Sequence, residues 1–244
     1  MRKVHVGCAG WSVPRQVTAR LPRDGSHLER YGQVFPAVEI NSSFYRAHKR
    51  ETYQRWAASV PGTFRFAVKL PRELTHTRRL RGAREPLNSF LSGVSGLGGK
   101  LGPVLVQLPP SLAFDRAVAR RFLRTLRDLH DAPVVLEARH ASWFEGDADA
   151  LLAEYRVGRV AADPPPYPPA AEPGGWLRIA YFRLHGSPRM YYSAYGAEFV
   201  GSLAQRLSGL SKNRSVWCIF NNTAAGAAAR DALALLDRLT IREE

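Results

Sequence analysis

The chain has 244 residues, 45% of them hydrophobic, and no apolar run near the roughly 20 residues that span a bilayer, so it reads as one domain, residues 1–244, with no membrane segment. Two cysteines without CxxC or CxxH spacing, Cys8 and Cys218, argue against a disulfide framework and a structural zinc site. The net charge of +14, carried by 30 arginines and only 5 lysines, favours anionic partners such as phosphorylated metabolites, nucleotides or nucleic acid.

In chain order, the basic start Met1-Arg2-Lys3 runs directly into a strand pattern, with no long apolar stretch and no small-residue cleavage site. That predicts no signal peptide and a cytoplasmic protein. Short β-rich runs then alternate with amphipathic stretches, the pattern of a parallel sheet wrapped by helices. The expected strands are Val4–Gly7, Ala37–Ile40, Arg65–Lys69, Val104–Gln107, Val134–Glu137, Arg159–Ala162, Tyr181–Leu184 and Val216–Phe220. Eight such runs predict closure into a β/α barrel of the TIM type.

Between them, Ser26 stands three residues before Glu29, a capping-box spacing, and Leu28, Tyr31 and Phe35 follow at helical intervals. Asp115 is placed to cap a helix through Leu129, with Val118, Phe122, Leu126 and Leu129 on one face and Arg116, Arg120, Arg124 and Arg127 on the other. Asp147 starts a helix carrying Leu151, Leu152 and Tyr155. Phe199, Val200, Leu203 and Leu207 mark another, and residues 224–239 form the last. The connection between the sixth and seventh strands, Asp163-Pro164-Pro165-Pro166-Tyr167-Pro168-Pro169, is too rich in proline for a helix and predicts an irregular, extended loop.

In such a barrel the chemistry gathers where strands end and βα loops begin. Those positions hold Trp11, then Glu39, Asn41 and Tyr45, then Lys69, Gln107, Glu137 with Arg139, His140 and Trp143, then Asp163, Arg183 with His185, and Asn221 with Asn222. Tyr195 follows in the loop after the seventh strand. Polar groups are costly to bury unless they pair with one another or with a ligand. The residues are therefore either a charge network plugging the barrel mouth or a ligand site, and their convergence on one rim favours the site.

Several ordered segments resemble one family. They are Gly-Cys-Ala-Gly-Trp-Ser from Gly7, Val-Glu-Ile-Asn-Ser-Ser-Phe-Tyr from Val38, Phe-Ala-Val-Lys from Phe66 and Lys-Leu-Gly-Pro-Val-Leu-Val-Gln-Leu-Pro-Pro from Lys100. Arg-His-Ala-Ser-Trp-Phe from Arg139, Arg-Leu-His-Gly from Arg183 and Phe-Asn-Asn-Thr from Phe220 complete the set. The chain is similar over its whole length to the YecE-like family, also called domain of unknown function 72. The resemblance implies a β/α barrel and no settled activity. Ala138 stands where the family usually has proline, and Asn221 removes a carboxylate that some members carry at the eighth strand.

The preferred functional reading is an enzyme acting on a phosphorylated or otherwise anionic small molecule by acid/base chemistry. Glu39 or Glu137 would be the base, His185 or His140 the acid and Lys69 an electrostatic stabiliser, while Arg139 and Arg183 would hold phosphate oxygens. The loop from Pro71 to Pro86 adds Arg72, His76, Arg78, Arg79, Arg81 and Arg84 to the rim. A metal-assisted hydrolase or isomerase would use Glu39, Glu137, Asp163 and His185 as ligands for a divalent ion. A buried Lys69 could instead act as a Schiff-base nucleophile. The competing class is a non-catalytic nucleic-acid or nucleotide binder using the arginines and the aromatics Trp11, Trp143, Tyr191, Tyr192 and Tyr195. The cofactor and oligomeric state are left open.

Overall fold

Runs of small and β-branched residues build one sheet, described for residues 4–12 and 14–240 in a computed structural model. The basic Met1–Lys3 start lies outside the described residues. The strands are β1 (Val4–Ala9), β2 (Ala37–Ile40), β3 (Arg65–Lys69), β4 (Leu101–Gln107) and β5 (Val134–Glu137). They continue as β6 (Val157–Arg159), β7 (Ala161–Asp163), β8 (Gly174–Gly175), β9 (Ile179–Leu184) and β10 (Ser215–Phe220).

The sheet order is β7-β9-β10-β1-β2-β3-β4-β5-β6-β8, with every pairing parallel except β6 with β8. The result is a nearly closed, barrel-like α/β sheet of ten segments where eight strands were expected. Two features raise the count. The sixth expected strand is interrupted at Val160, so that β6 pairs with β5 while β7 pairs with β9. The two-residue β8 adds antiparallel to β6.

The helices are α1 (His27–Gly32), α2 (Arg50–Ala58), α3 (Arg84–Val94), α4 (Arg116–Leu129), α5 (Ala148–Glu154), α6 (Ala197–Ser211) and α7 (Ala227–Thr240). Both halves of the Ser26/Glu29 capping box form at α1, and Asp115 accepts from the amides of Ala117 and Val118 at α4. Phe122, Leu123 and Leu126 of α4 are buried against the sheet, where each such side chain contributes roughly 1.5–3 kcal/mol. Helices α2 and α3 carry no side-chain N-cap, and α2 buries Tyr53 alone, so neither has a strong local signature. The proline-rich connection is irregular, as expected, with a single short turn at Pro168–Ala171.

Three of the four arginines in the α4 row, all but the exposed Arg124, are engaged locally. Arg116 pairs with Asp147, Arg120 with Glu154, and Arg127 donates to the carbonyls of His130, Ala132, Tyr155 and Arg156. The row ties α4 to α5 and the turn after it.

Alternation along the parallel strands decides what faces inward. Ala37, Ala67, Leu105, Val135, Val160, Ile179, Tyr181, Trp217 and Ile219 form an inner apolar cluster, distinct from the larger one between sheet and helices. Two residues further along their strands come Glu39, Lys69, Gln107, Glu137, Arg183 and Asn221. A polar layer therefore sits directly above an apolar one, at the carboxyl ends of the strands. Both cysteines belong to the outer cluster, are free thiols, and are pushed up in pKa by burial, Cys8 to about 12.

Candidate functional site in the barrel mouth

Arg183 organises the polar layer. Its Nε and Nη2 donate to Glu39 Oε2 and Oε1 at 3.0 and 2.8 Å, and its Nη1 donates to Glu137 Oε2. The Tyr181 hydroxyl donates to Glu39 Oε2 at 2.9 Å. On the solvent side Arg139 places Nε and Nη2 on Glu137 Oε1 at 2.9 and 2.8 Å. Arg183 and both carboxylates are at most 2% exposed, so these ions survive burial only because their donors and acceptors satisfy one another.

Burial alone would push the Glu137 carboxyl up, but the adjacent Arg183 and Arg139 guanidiniums outweigh it and hold Glu137 well below the usual carboxylate range. Glu137 is thus a fixed anion. His185, 2% exposed, is pushed down by burial, only partly offset by Glu137, so its imidazole is neutral at pH 7. Asn221 Nδ2 donates to His185 Nδ1 at 3.0 Å, which leaves the ring proton on Nε2, 3.4 Å from Glu137 Oε1. That is too long for a strong hydrogen bond.

Lys69 is different from every other ion in the layer. It is 6% exposed, and its Nζ lies 3.8 Å from the centroid of the Phe44 ring. Among the described residues no carboxylate comes within ion-pair distance of it and no acceptor within hydrogen-bond distance. Burial, reinforced by Arg183 and partly opposed by Glu39 and Glu137, pulls its pKa down to about 8. Its backbone is fixed, because the Ser43 hydroxyl donates to the Lys69 carbonyl at 2.7 Å.

Above the network lies a hollow of about 250 Å³ bordered by Pro110, Glu137, Arg139, Ala162, Pro164, Pro165, Pro166, His185 and Met190. The proline-rich loop thus supplies a wall that needs no amide partners. Gly186 follows His185 with φ +93, and a Cβ there would lie 2.7 Å from the Ser193 carbonyl, so only glycine makes this turn. Tyr191, at φ +69, stands edge-on to His185 with ring centroids 5.9 Å apart.

The remaining expected residues divide. Asp163 accepts from the Tyr195 hydroxyl at 2.8 Å, and the same hydroxyl accepts from the Gly186 amide, so this pair props the His185 turn. Asn222 is fully buried on Asp231 and the Ser193 carbonyl. Gln107 donates to the Leu108 carbonyl, and His140 caps the short turn at Ala141–Trp143. Trp143 is a core residue, 1% exposed, with its indole N–H on the Leu112 carbonyl. Trp11 packs edge-on against Trp56, and Tyr45 is 79% exposed. The Oδ1 of Asn41 is buried without a partner among the described residues.

Two of the readings weighed find little support in this geometry. Among the described residues no three His, Cys, Asp or Glu side chains converge as a metal set. Of the proposed quartet, Glu39 and Glu137 face Arg183 and Asp163 faces Tyr195. Four of the five loop arginines are engaged locally: Arg78 pairs with Glu73, Arg79 donates to Ser111, Arg81 pairs with Asp115 and Arg84 with Asp128, while Arg72 has no such partner among the described residues.

Tyr181 and Phe44 were not anticipated. Tyr181 could have been found, since it lies two residues before Arg183 on the same strand face; Phe44 reaches Lys69 from a loop and has no such signature. Replacing Tyr181 by Phe should cost about 1 kcal/mol, because Arg183 still holds both Glu39 oxygens. Urea unfolding at pH 7 measures it, and a loss several times larger would mean that Glu39 depends on the hydroxyl.

The family described as "Protein of unknown function DUF72" matches residues 5–244. The UPF0759 protein YunF of Bacillus subtilis (strain 168) is 23% identical over 272 residues, covering 98% of this chain and 95% of YunF. The UPF0759 protein YecE of Escherichia coli (strain K12) is 29% identical over 169 residues, covering 67% and 60%. A crystal structure of a DUF72 family protein from Thermotoga maritima MSB8 superposes with a TM-score of 0.80 at 26% identity, covering 99% of both chains. Among the described residues no helix is long and apolar enough to cross a membrane. With the family match running from the first strand to the chain end, the protein belongs to DUF72, a family to which no activity has been assigned.

Proposed function

We propose that this protein is an enzyme whose active site is the barrel mouth and whose substrate is a small anionic molecule. The barrel in this reading is a single eight-stranded β/α domain spanning residues 1–244. Its sixth strand runs through β6, Val160 and β7, and β8 is an appendage. The Val160 amide, which donates to the Leu136 carbonyl at 2.9 Å across the interruption, supports that continuity.

The observation that carries the functional reading is a count of charges. Two buried carboxylates, Glu39 and Glu137, are matched by two guanidiniums, Arg183 and Arg139. Lys69 is then a surplus cation in a low-dielectric layer, and an anion is what would complete the set. Arg139, partly exposed at the hollow's edge, is the guanidinium placed to meet such a ligand. The amine of Lys69, its pKa pulled down to about 8, can exchange a proton near neutral pH, and His185, pushed below its ordinary value by burial, borders the hollow as a neutral imidazole. Glu39 serves in this reading as Arg183's anchor. The nucleic-acid reading has less support, since the arginine row and the loop arginines are largely engaged with local partners.

Inorganic phosphate should bind with proton uptake. An anion beside Lys69 raises its pKa, so at pH 8 binding draws up to roughly half a proton from buffer. Calorimetry in two buffers of different ionisation enthalpy measures this. Arg139→Gln should weaken phosphate binding about tenfold or more, the loss of one bidentate charged contact. Phosphate binding without proton uptake, or unaltered in Arg139→Gln, would put the anion elsewhere.

A further inference from the structure

We infer that Lys69 is a covalent catalyst, condensing through its ε-amine with the carbonyl group of an anionic aldehyde or ketone held in the mouth. The inference rests on the anionic-substrate reading and names its substrate class: carbonyl compounds carrying a carboxylate or phosphate.

The geometry leaves the Lys69 amine without an ion-pair partner among the described residues, close enough to feel Glu137 and Arg139, which border the hollow. Lys69 ends β3 and its side chain is 6% exposed in the polar layer. Among the described residues its amine has no carboxylate partner, so no ion pair must break before nitrogen can attack. An amine tied into an ion pair stays an ammonium with no lone pair; one buried among other cations without a carboxylate partner is released from that constraint, although the Phe44 face favours the ammonium. The choice of side chain matters in a chain with 30 arginines and 5 lysines, since a guanidinium cannot give up its proton and cannot serve as a nucleophile.

The charges around the amine come from several elements. Arg183 faces it from β9, Glu39 from β2, and Glu137 and Arg139 from the end of β5; His76 lies close enough on the turn after β3 to feel its charge. His185 borders the hollow beside Glu137. The cations among these groups oppose protonation of Lys69, and the two carboxylates, both held by guanidiniums, only partly restore it.

The step balances without an oxidant or reductant. The nitrogen lone pair attacks the carbonyl carbon, a C–N bond forms and the C=O π pair moves to oxygen. The two hydrogens on nitrogen end on that oxygen, which departs as water, leaving a C=N bond. Protonated, this imine draws electrons from the adjacent carbon, where a proton or a carbon–carbon bond can then be lost. Arg139 would hold the substrate's anionic group.

Glyoxylate, a small aldehyde bearing a carboxylate, is the probe. The full-length protein is incubated with glyoxylate and borohydride, and peptides are mapped by mass spectrometry for carboxymethyl-lysine. Lys69 should be modified at least tenfold faster than the exposed Lys49 and Lys212. Its rate should rise with pH and level off above about 8, and phosphate should slow it. Lys69→Arg should abolish the fast phase while still binding phosphate. Labelling of Lys69 no faster than Lys49 and Lys212, with phosphate binding intact, overturns the covalent step and leaves the anion site standing. Absence of both fast labelling and phosphate binding overturns the two together.

Discussion

Arg183→Met should lower the stability of the fold by about 3–5 kcal/mol, the usual penalty when one partner of a buried ion pair is removed. The guanidinium, 1% exposed, supplies two donors to Glu39 and one to Glu137. Without it Glu39 keeps only the Tyr181 hydroxyl, and Glu137 keeps Arg139 and the long contact to His185. Two carboxylates then share a water-poor layer with about half of their former donors. Urea unfolding at pH 7 should move to a lower midpoint with the slope unchanged. A second change makes the result diagnostic: Glu39→Gln in the Arg183→Met background should recover part of the loss, since it removes the charge left stranded. A loss below about 1 kcal/mol in the single variant would show that Glu39 and Glu137 are solvated by other means, and the charge count beneath the proposed function would fail with it.

That count was only partly legible in the sequence. Which residues share the rim follows from two rules, alternation along a strand and chemistry at the carboxyl end, so Glu39, Lys69, Glu137, Arg183 and His185 could all be named without coordinates. Who pairs with whom could not. Glu39 and Arg183 stand 144 positions apart and meet only because β2 and β9 lie on one curved sheet. Lys69 has no ion-pair partner among the described residues because Arg183 and Arg139 occupy the acceptors of both carboxylates, and that competition is three-dimensional. The loop arginines show the converse. Counted as free charges they make a phosphate-binding rim, but Arg78, Arg81 and Arg84 each have an acidic partner, two of them supplied by distant segments at Asp115 and Asp128. Trp143 was misplaced for a local reason: position after a strand end does not say whether a ring turns inward to the mouth or back into the core, and the Leu112 carbonyl draws it to the core.

Lys69→Met should raise stability at pH 7, by about 1–3 kcal/mol, while removing the proposed chemistry. Met fills a similar volume without a charge to desolvate. An unfolded lysine has a pKa of about 10.4, whereas the folded pKa is about 8. Below pH 8 the amine is protonated in both states, and the folded protein carries the full cost of an ammonium in its polar layer. Between about 8 and 10.4 the folded protein has released the proton while the unfolded chain still holds it. The unfolded state therefore binds more protons across that window, and the stability contributed by this group rises with pH. The difference between variant and wild type should be greatest below pH 8, shrink across the window and vanish above it, which unfolding at a series of pH values resolves. A variant less stable than wild type at pH 7, or a difference flat in pH, would mean that Lys69 is held as a contented cation after all. A side chain that weakens the fold is retained where its reactivity is used, so stability gained on losing it separates an active-site lysine from a structural one.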